Sequence, residues 1–454
     1  MDPFASALDQ AAAVRRREVS ARELVDRYLQ RIERLGPRLN AFFLTTPDLA
    51  RRQAEAVDAG GDGPLAGAAT SIKDLASMAG YPLTYGSRAF EDQVGQVDAF
   101  VVSRVTAAGS PILGRTTTPE FGSRPVTEFG LHGTARNPWN LDRTPGGSSG
   151  GAGAALAAGL CAWSHGTDGG GSVRIPASCC GLVGLKPSRG RISPGPLVGE
   201  GWAGLSTQGV LARTVDDAAA GLDALAGHLP GDPYWAEPEG SYLRDRPLPG
   251  RLRIGFQATA SCDVHPELQE LVGRVARELE GLGHDVEEAG PDTTPFRAPM
   301  IVLVAAGTAS YPVSDTSVLD PLNARLAAAS SQLTAADYVR AVNRIRNHSR
   351  VVVSFWDDHD LLLTPTLTQP PFPIGAFADV ESAMDRTLDW VTFTQPYNCT
   401  GQPAITLPVG TSADGLPLGV QLVGPPRGEL LLLAAAAQLE EAMPWRDRRP
   451  AGFE

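Results

Sequence analysis

Two serines and one lysine carry the chemistry that this 454-residue chain offers most openly. Each serine sits in its own glycine loop. Ser148 lies in Gly146-Gly147-Ser148-Ser149-Gly150-Gly151, and Ser172 closes Gly169-Gly170-Gly171-Ser172, 24 residues further on. Glycines beside a serine allow turns with positive φ and leave N–H groups aimed at whatever the hydroxyl meets. Ser172 is the better nucleophile of the two. The N–H groups of Gly169, Gly170, Gly171 and Ser172 itself can face a developing oxyanion, and each such donor is worth about 3–4 kcal/mol.

A serine hydroxyl needs a base. Of the 39 Lys and Arg residues only two are lysines, Lys73 and Lys186. Where arginine has replaced nearly every lysine, a surviving lysine points to a task arginine cannot perform. Arginine keeps its proton in a protein, whereas a buried lysine can release it. Lys73 follows the apolar stretch Leu65–Ile72, so it can be buried, and lowering its pKa by two to three units takes about 3–4 kcal/mol of desolvation. Ser148 would then stand between the two, passing a proton from Ser172 to Lys73. Lys186, in a Gly-Leu-Lys-Pro turn, reads equally well as a chance survivor.

Other chemistries are weaker here. Gly147-Ser148-Ser149-Gly150-Gly151 matches G-x-S-x-G, which would make Ser149 a hydrolase-elbow nucleophile, but it needs a later histidine, and neither His348 nor His359 has a telling context. There is no G-x-x-x-x-G-K-[ST], and Gly151-Ala152-Gly153 lacks the third glycine of a dinucleotide fingerprint. His165 reads as a core histidine, and Cys179 with Cys180 as paired core thiols. Asp168 and Arg174 flank the nucleophile loop, first as an ion pair shaping it and second as substrate contacts.

Composition narrows the field further. A formal charge of −12 and a pI near 5.2 argue against nucleic acid or an anionic membrane as partner. Five cysteines without a C-x-x-C signal neither a disulfide framework nor a zinc site. No apolar run follows the early arginines, and no stretch of 18 apolar residues occurs, so a soluble cytoplasmic protein is expected.

The elements that must position these groups follow from periodicity and capping. A capping box at Ser20–Glu23 opens a helix that Gly36-Pro37 should end, and Thr46-Pro47 opens another to about Ala59, with Thr46 as its cap. Gly63–Ile72 reads as a turn and strand, Val101–Ala108 as a helix and Pro111–Gly114 as a strand. Ala152–Leu160 reads as a buried helix leading to a strand at Cys161–Ser164, and Thr214–Ala226 as a capped helix. Leu252–Phe256, Pro266–Leu282 and His284–Glu288 form a β-α-β unit. A helix follows Thr334 to about Phe355, then strands at Asp360–Leu363, Ala404–Leu407 and Leu418–Val423, and a closing helix at Glu429–Met443. This alternation predicts an α/β fold around one large sheet. The expected organisation is a single domain over 1–454: a helical arm at 1–62, a core at 63–226, a surface excursion at 227–250, and a remainder at 251–454 with a variable pocket segment at 291–331. Tyr81–Arg88, Pro119–Pro125, Pro194–Trp202 and Pro291–Pro312 are the expected pocket walls.

Taken together, Gly146–Lys186, Gly67–Asp74, Asn137-Pro138-Trp139, Phe393–Gly410 and Gly415–Gly424 closely resemble the amidase signature family of serine hydrolases. Ser178-Cys179-Cys180-Gly181 and Pro187–Arg191 are most similar to bacterial amidases of the 6-aminohexanoate-cyclic-dimer hydrolase type. The resemblance covers nearly the whole chain. It implies a Ser–cis-Ser–Lys triad of Ser172, Ser148 and Lys73, with Thr167 supporting the bridging serine. It also implies one twisted mixed sheet of about eleven strands covered by helices on both sides. Gly169 departs from the family's usual larger residue, which would loosen the oxyanion loop. The activity implied is hydrolysis of a carboxylic amide through an acyl-enzyme, on aryl or alkyl amides or related esters and carbamates, with no metal or organic cofactor. The expected partner is a small-molecule amide, a homodimer being among the states left open. A glutamine amidotransferase subunit that hands ammonia to a partner protein is the alternative, and an inactive scaffold on the same fold is a third.

Overall fold

A computed structural model describes residues 1–246 and 250–454. The catalytic candidates lie where two sheets meet. The smaller sheet holds β1 (Phe42–Thr45), β2 (Thr70–Lys73) and β3 (Ile112–Thr116) in the order β1-β3-β2. The larger holds β4 (Ser164–Asp168), β5 (Val183–Lys186), β6 (Thr207–Ala212), β7 (Arg253–Phe256), β8 (Asp285–Glu288), β9 (Leu361–Pro365), β10 (Ala404–Thr411) and β11 (Pro417–Val423). Its order is β4-β6-β5-β10-β11-β9-β7-β8. Pairings from β4 to β9 are antiparallel, whereas β9, β7 and β8 run parallel.

The expected α/β class and strand number hold, but the strands form two sheets rather than one. The physical reason is local to β2 and β4. One main-chain bond, from the Ala162 N–H to the Ala69 carbonyl at 2.8 Å, leads into their junction. From there side chains take over, with Ser71 Oγ 2.6 Å from Ser164 Oγ and Thr70 Oγ1 donating to the Trp163 carbonyl at 3.1 Å. These hydroxyls take the place of a continuous ladder.

The helix Gly150–Ala157 is buried throughout. A Cβ on Gly151 would stand 2.5 Å from the Thr117 carbonyl oxygen and 2.6 Å from that of Ala41, so only glycine lets this helix lie on the small sheet. The strand after it begins at Ser164, not Cys161. The helix from Ala21 runs past Gly36-Pro37 to Leu39, because Leu39 is fully buried and Asn40, at φ 48°, supplies the left-handed stop. Thr46 precedes the helix Pro47–Asp58 but does not cap it. Its hydroxyl donates instead to the Ile112 carbonyl at 2.8 Å.

The segment 291–331 contains two helices, Arg297–Ala309 and Pro321–Ser330. With the helix Ala335–Val353 they share a hydrophobic cluster separate from the main core, built on Phe296, Leu303, Leu326 and Ile345. The first of these helices buries one side in that cluster and turns Gly307 toward a cleft, so its apolar residues leave no single stripe to read. The excursion expected at 227–250 is tied down by Asp223, whose carboxylate accepts from the Tyr242 N–H at 2.6 Å, while residues 247–249 lie outside the described residues.

Candidate active site

Lys73 ends β2, Thr167 lies in β4, and Ser148 and Ser149 precede the helix Gly150–Ala157, so three elements deliver one cluster. Lys73 Nζ stands 2.7 Å from Ser148 Oγ, 2.9 Å from Ser149 Oγ and 2.9 Å from Thr167 Oγ1. The lysine is completely buried, and it makes no ion pair among the described residues. Burial pulls its ammonium down to about 7, and Asp168 only partly opposes this. The positive end of the helix that Ser149 precedes acts in the same direction.

The loop around Ser148 is held by hydroxyls that sequence reasoning missed. Thr118 donates to the Ser148 carbonyl at 2.9 Å, and Thr127 donates to the Gly146 carbonyl at 2.9 Å while accepting from the Gly150 N–H at 3.1 Å. The Gly147–Ser148 peptide is cis. The Ser149 N–H donates to the Ser172 carbonyl at 3.2 Å, joining the two serine loops directly. Nothing in the Thr116-Thr117-Thr118 run marks which threonine reaches a carbonyl thirty residues away.

The Ser172 loop is shaped by Asp168 and Arg174. Arg174 meets Asp168 through Nη2–Oδ1 at 2.8 Å and Nε–Oδ2 at 3.0 Å, both side chains being fully buried. Against the upward push of burial, the guanidinium holds the Asp168 carboxyl well below its ordinary range. That carboxylate also accepts from the Gly171 N–H at 2.8 Å, the Val173 N–H at 3.1 Å and the Asn398 amide at 2.9 Å. The Gly171 N–H is therefore occupied within the fold. The N–H groups of Gly169, Gly170 and Ser172 have no acceptor among the described residues. Gly171 has φ +128°, and a Cβ there would meet Thr394 Oγ1 at 2.4 Å.

Gly169 is not left loose. A Cβ on it would stand 3.1 Å from the Trp202 indole, and one on Gly307 would stand 2.6 Å from the other side of the same ring. Trp202 thus fills the space that a larger residue at 169 would take.

Ser149 shares Lys73 rather than a histidine. His348 is half-buried and bonds the Asp292 carbonyl at 2.7 Å, and His359 bonds Glu287 at 2.9 Å, so neither completes an elbow triad with Ser149. His165 is a core histidine 2.8 Å from Gln208, and burial lowers it to about 4. Burial pushes the thiols of both Cys179 and Cys180 up. Lys186 is as buried as Lys73 and also pulled down to about 7, yet its one bond is to the Pro187 carbonyl at 3.0 Å.

Two cavities open at Ser172. A cleft of about 560 Å³ exposes Ser148, Thr167, Gly169 and Ser172 beneath walls from Tyr85, Phe121, Pro194–Trp202 and Gly307–Pro312. A pocket of about 50 Å³ lies on the other side, reached past Gly170 and Trp202. All four expected wall segments take part. Tyr85, Phe121 and Trp202 have φ of 52°, 55° and 51°, a region L-residues rarely adopt, and each puts an aromatic ring into a cavity wall.

A family model described as Amidase matches residues 23–433. The chain belongs to the amidase family. The amidase is 38% identical over 496 residues to 6-aminohexanoate-cyclic-dimer hydrolase of Paenarthrobacter ureafaciens, covering 99% of this chain and 97% of that one. It superposes on a structure of 6-aminohexanoate cyclic dimer hydrolase complexed with substrate with a TM-score of 0.95, 36% identity and all of both chains covered. A bacterial aryl acylamidase of the amidase signature family follows with a TM-score of 0.90, 28% identity and 97% of each chain covered. The resemblance read from Gly146–Lys186 and its companions is thereby borne out: the chain is an amidase signature enzyme that hydrolyses amide C–N bonds. No helix is long and apolar enough to cross a membrane among the described residues. The glutamine amidotransferase alternative draws no support from these matches.

Proposed function

We propose that this amidase works through an acyl-enzyme on Ser172, with Ser148 as the proton bridge and Lys73 as the base. The observation that carries this reading is the buried Lys73 amine set among three hydroxyls with no carboxylate beside it. An uncharged amine has two N–H bonds and one lone pair, which three hydroxyl neighbours can satisfy together. Ser148 gives its proton to that lone pair and takes one from Ser172. Ser172 Oγ then bonds to the amide carbon, and the oxyanion turns to the N–H groups left open in the 169–172 loop. Collapse breaks the C–N bond, and the departing nitrogen takes a proton from Ser148, which recovers its own from Lys73. Water enters by the same route, the acyl–oxygen bond breaks, and a carboxylic acid leaves with Ser172 restored. Thr167 and Ser149 hold the amine on line, and the Asp168–Arg174 pair holds the loop.

Aryl or alkyl amides, with related esters and carbamates, are the proposed substrates. The aromatic cleft favours them over small charged amides. The test is a fluorophosphonate label combined with an amide, anilide, ester and carbamate screen. The expected result is label on Ser172 and turnover that both vanish in Ser172→Ala. Turnover that survives in that variant sinks the assignment.

A further inference from the structure

Ser148, the group that returns a proton to the departing nitrogen, faces only one of the two cavities. It lines the wide cleft together with Thr167, whereas the small pocket is bounded by Gly170, Ser172 and Trp202 on one side and Met300, Met384 and Leu388 on the other. A tetrahedral carbon on Ser172 carries the serine oxygen, the oxyanion, the nitrogen and the acyl carbon. With the oxyanion on the loop N–H groups and the nitrogen against Ser148, the acyl substituent has the small pocket left to it. We infer that this amidase takes substrates of fixed polarity: a short acyl group in the small pocket, and a bulky ring-bearing amine, uncharged or cationic but not anionic, in the cleft. This deepens the acyl-enzyme reading above and rests on it.

Size sets the first half. At about 50 Å³ the pocket holds roughly three to five heavy atoms, since one water needs about 10–15 Å³. Met300, Met384 and Leu388 line the pocket, so a longer chain must displace them or run out past them. The cleft, at about 560 Å³, sets no such limit.

Charge and shape set the second half. Among the side chains lining the cleft only Glu200 is charged, and it is exposed at the mouth. Arg124, beside the small pocket, is already paired with Asp320, both side chains being buried. An anionic amine therefore finds no free cation in either cavity and meets a carboxylate on entry. The opposite wall is a set of rings. Phe121 and Tyr311 stack at 4.0 Å with planes 12° apart, and Tyr85 meets Tyr311 edge-on at 5.6 Å. Such a wall favours a planar or cationic partner.

The test uses the wild-type enzyme on two matched series. One holds the amine constant as an aniline and lengthens the acyl group from acetyl to decanoyl. The other holds the acyl group as acetyl and places a methyl, an aminomethyl or a carboxylate on the aniline ring. Expected are a fall in kcat/KM of at least about 10-fold between butyryl and octanoyl, and a similar penalty for the carboxylate. Met384→Ala, at a half-buried position, is expected to raise the octanoyl-to-acetyl ratio about 10-fold. Glu200→Gln is expected to narrow the gap between aminomethyl and carboxylate anilides. Octanoyl turned over as well as acetyl, a ratio unmoved in Met384→Ala, or equal rates on the three ring substituents each overturn the polarity. Failure on every amide of both series overturns the acyl-enzyme reading itself, and loss of Ser172 labelling tells that case apart.

Discussion

Lys73 and Lys186 are the two lysines of the chain, both fully buried and both pulled to about 7 by burial, yet they occupy different chemical settings. Lys73 has three hydroxyls within 2.9 Å and a cleft beyond them, whereas Lys186 bonds one carbonyl and lines neither cavity at Ser172. The contrast teaches that a depressed pKa does not make a base. On the proposed mechanism a base also needs a hydroxyl neighbour at the cleft, and of the two lysines only Lys73, at the end of β2, has one in Ser148.

That comparison can be broken most forcefully at Lys73. Lys73→Arg keeps a positive charge that cannot be shed, so kcat/KM is expected to drop by about 10³–10⁴, with circular dichroism unchanged. Full activity in that variant removes the lysine from the mechanism. A pH profile sharpens the point. Because only the uncharged amine accepts a proton, kcat/KM should fall about tenfold per unit as pH drops below about 7, and be flat just above it. An enzyme equally active at pH 5 and pH 8 contradicts this. Thr167→Val takes away one oxygen that favours the ammonium, so the acid limb should move to lower pH with a loss of about tenfold in rate; a limb moving upward argues for another role. The smallest effect is expected at Lys186→Met, with activity within about threefold of wild type and the acid limb in place. The sign of its stability effect also follows. The folded pKa lies below the unfolded one, so this lysine disfavours the folded state as pH falls from about 10.5 and does so fully below about 7. Replacing it should therefore raise Tm at pH 7 by a few degrees. A lowered Tm means the Pro187 bond outweighs desolvation.

The same pair shows what could be read without coordinates. The scarcity of lysine and the apolar run before residue 73 point to a buried amine, and the glycine loops point to the serines, because both signals are local in sequence. Thr118, Thr127 and Asn398 were invisible, since each bonds a main-chain or carboxylate group far away in the chain. The helix Arg174–Cys180 after the nucleophile was missed as well. It carries Pro176 in its first turn, where proline is tolerated, and it is buried on every side, so it shows no stripe. β1, β5 and β6 went unread too: β1 because none of its residues is buried, β5 because Gly-Leu-Lys-Pro at its end reads as a turn although Lys186 is the strand's last residue, and β6 because glycine interrupts it. The 169–172 loop looked like four equal donors, and only the Asp168 contact singles out Gly171 as spent.

The seam between the two sheets has a consequence for when the enzyme becomes dangerous to other amides. Lys73 comes from one side of that seam and Thr167 from the other, with side-chain bonds rather than a continuous ladder joining the two strands. A nascent chain with either sheet assembled alone holds an inert lysine and an ordinary alcohol. On the proposed mechanism, then, hydrolytic power needs both sheets docked, since neither alone places the Lys73 amine beside Thr167.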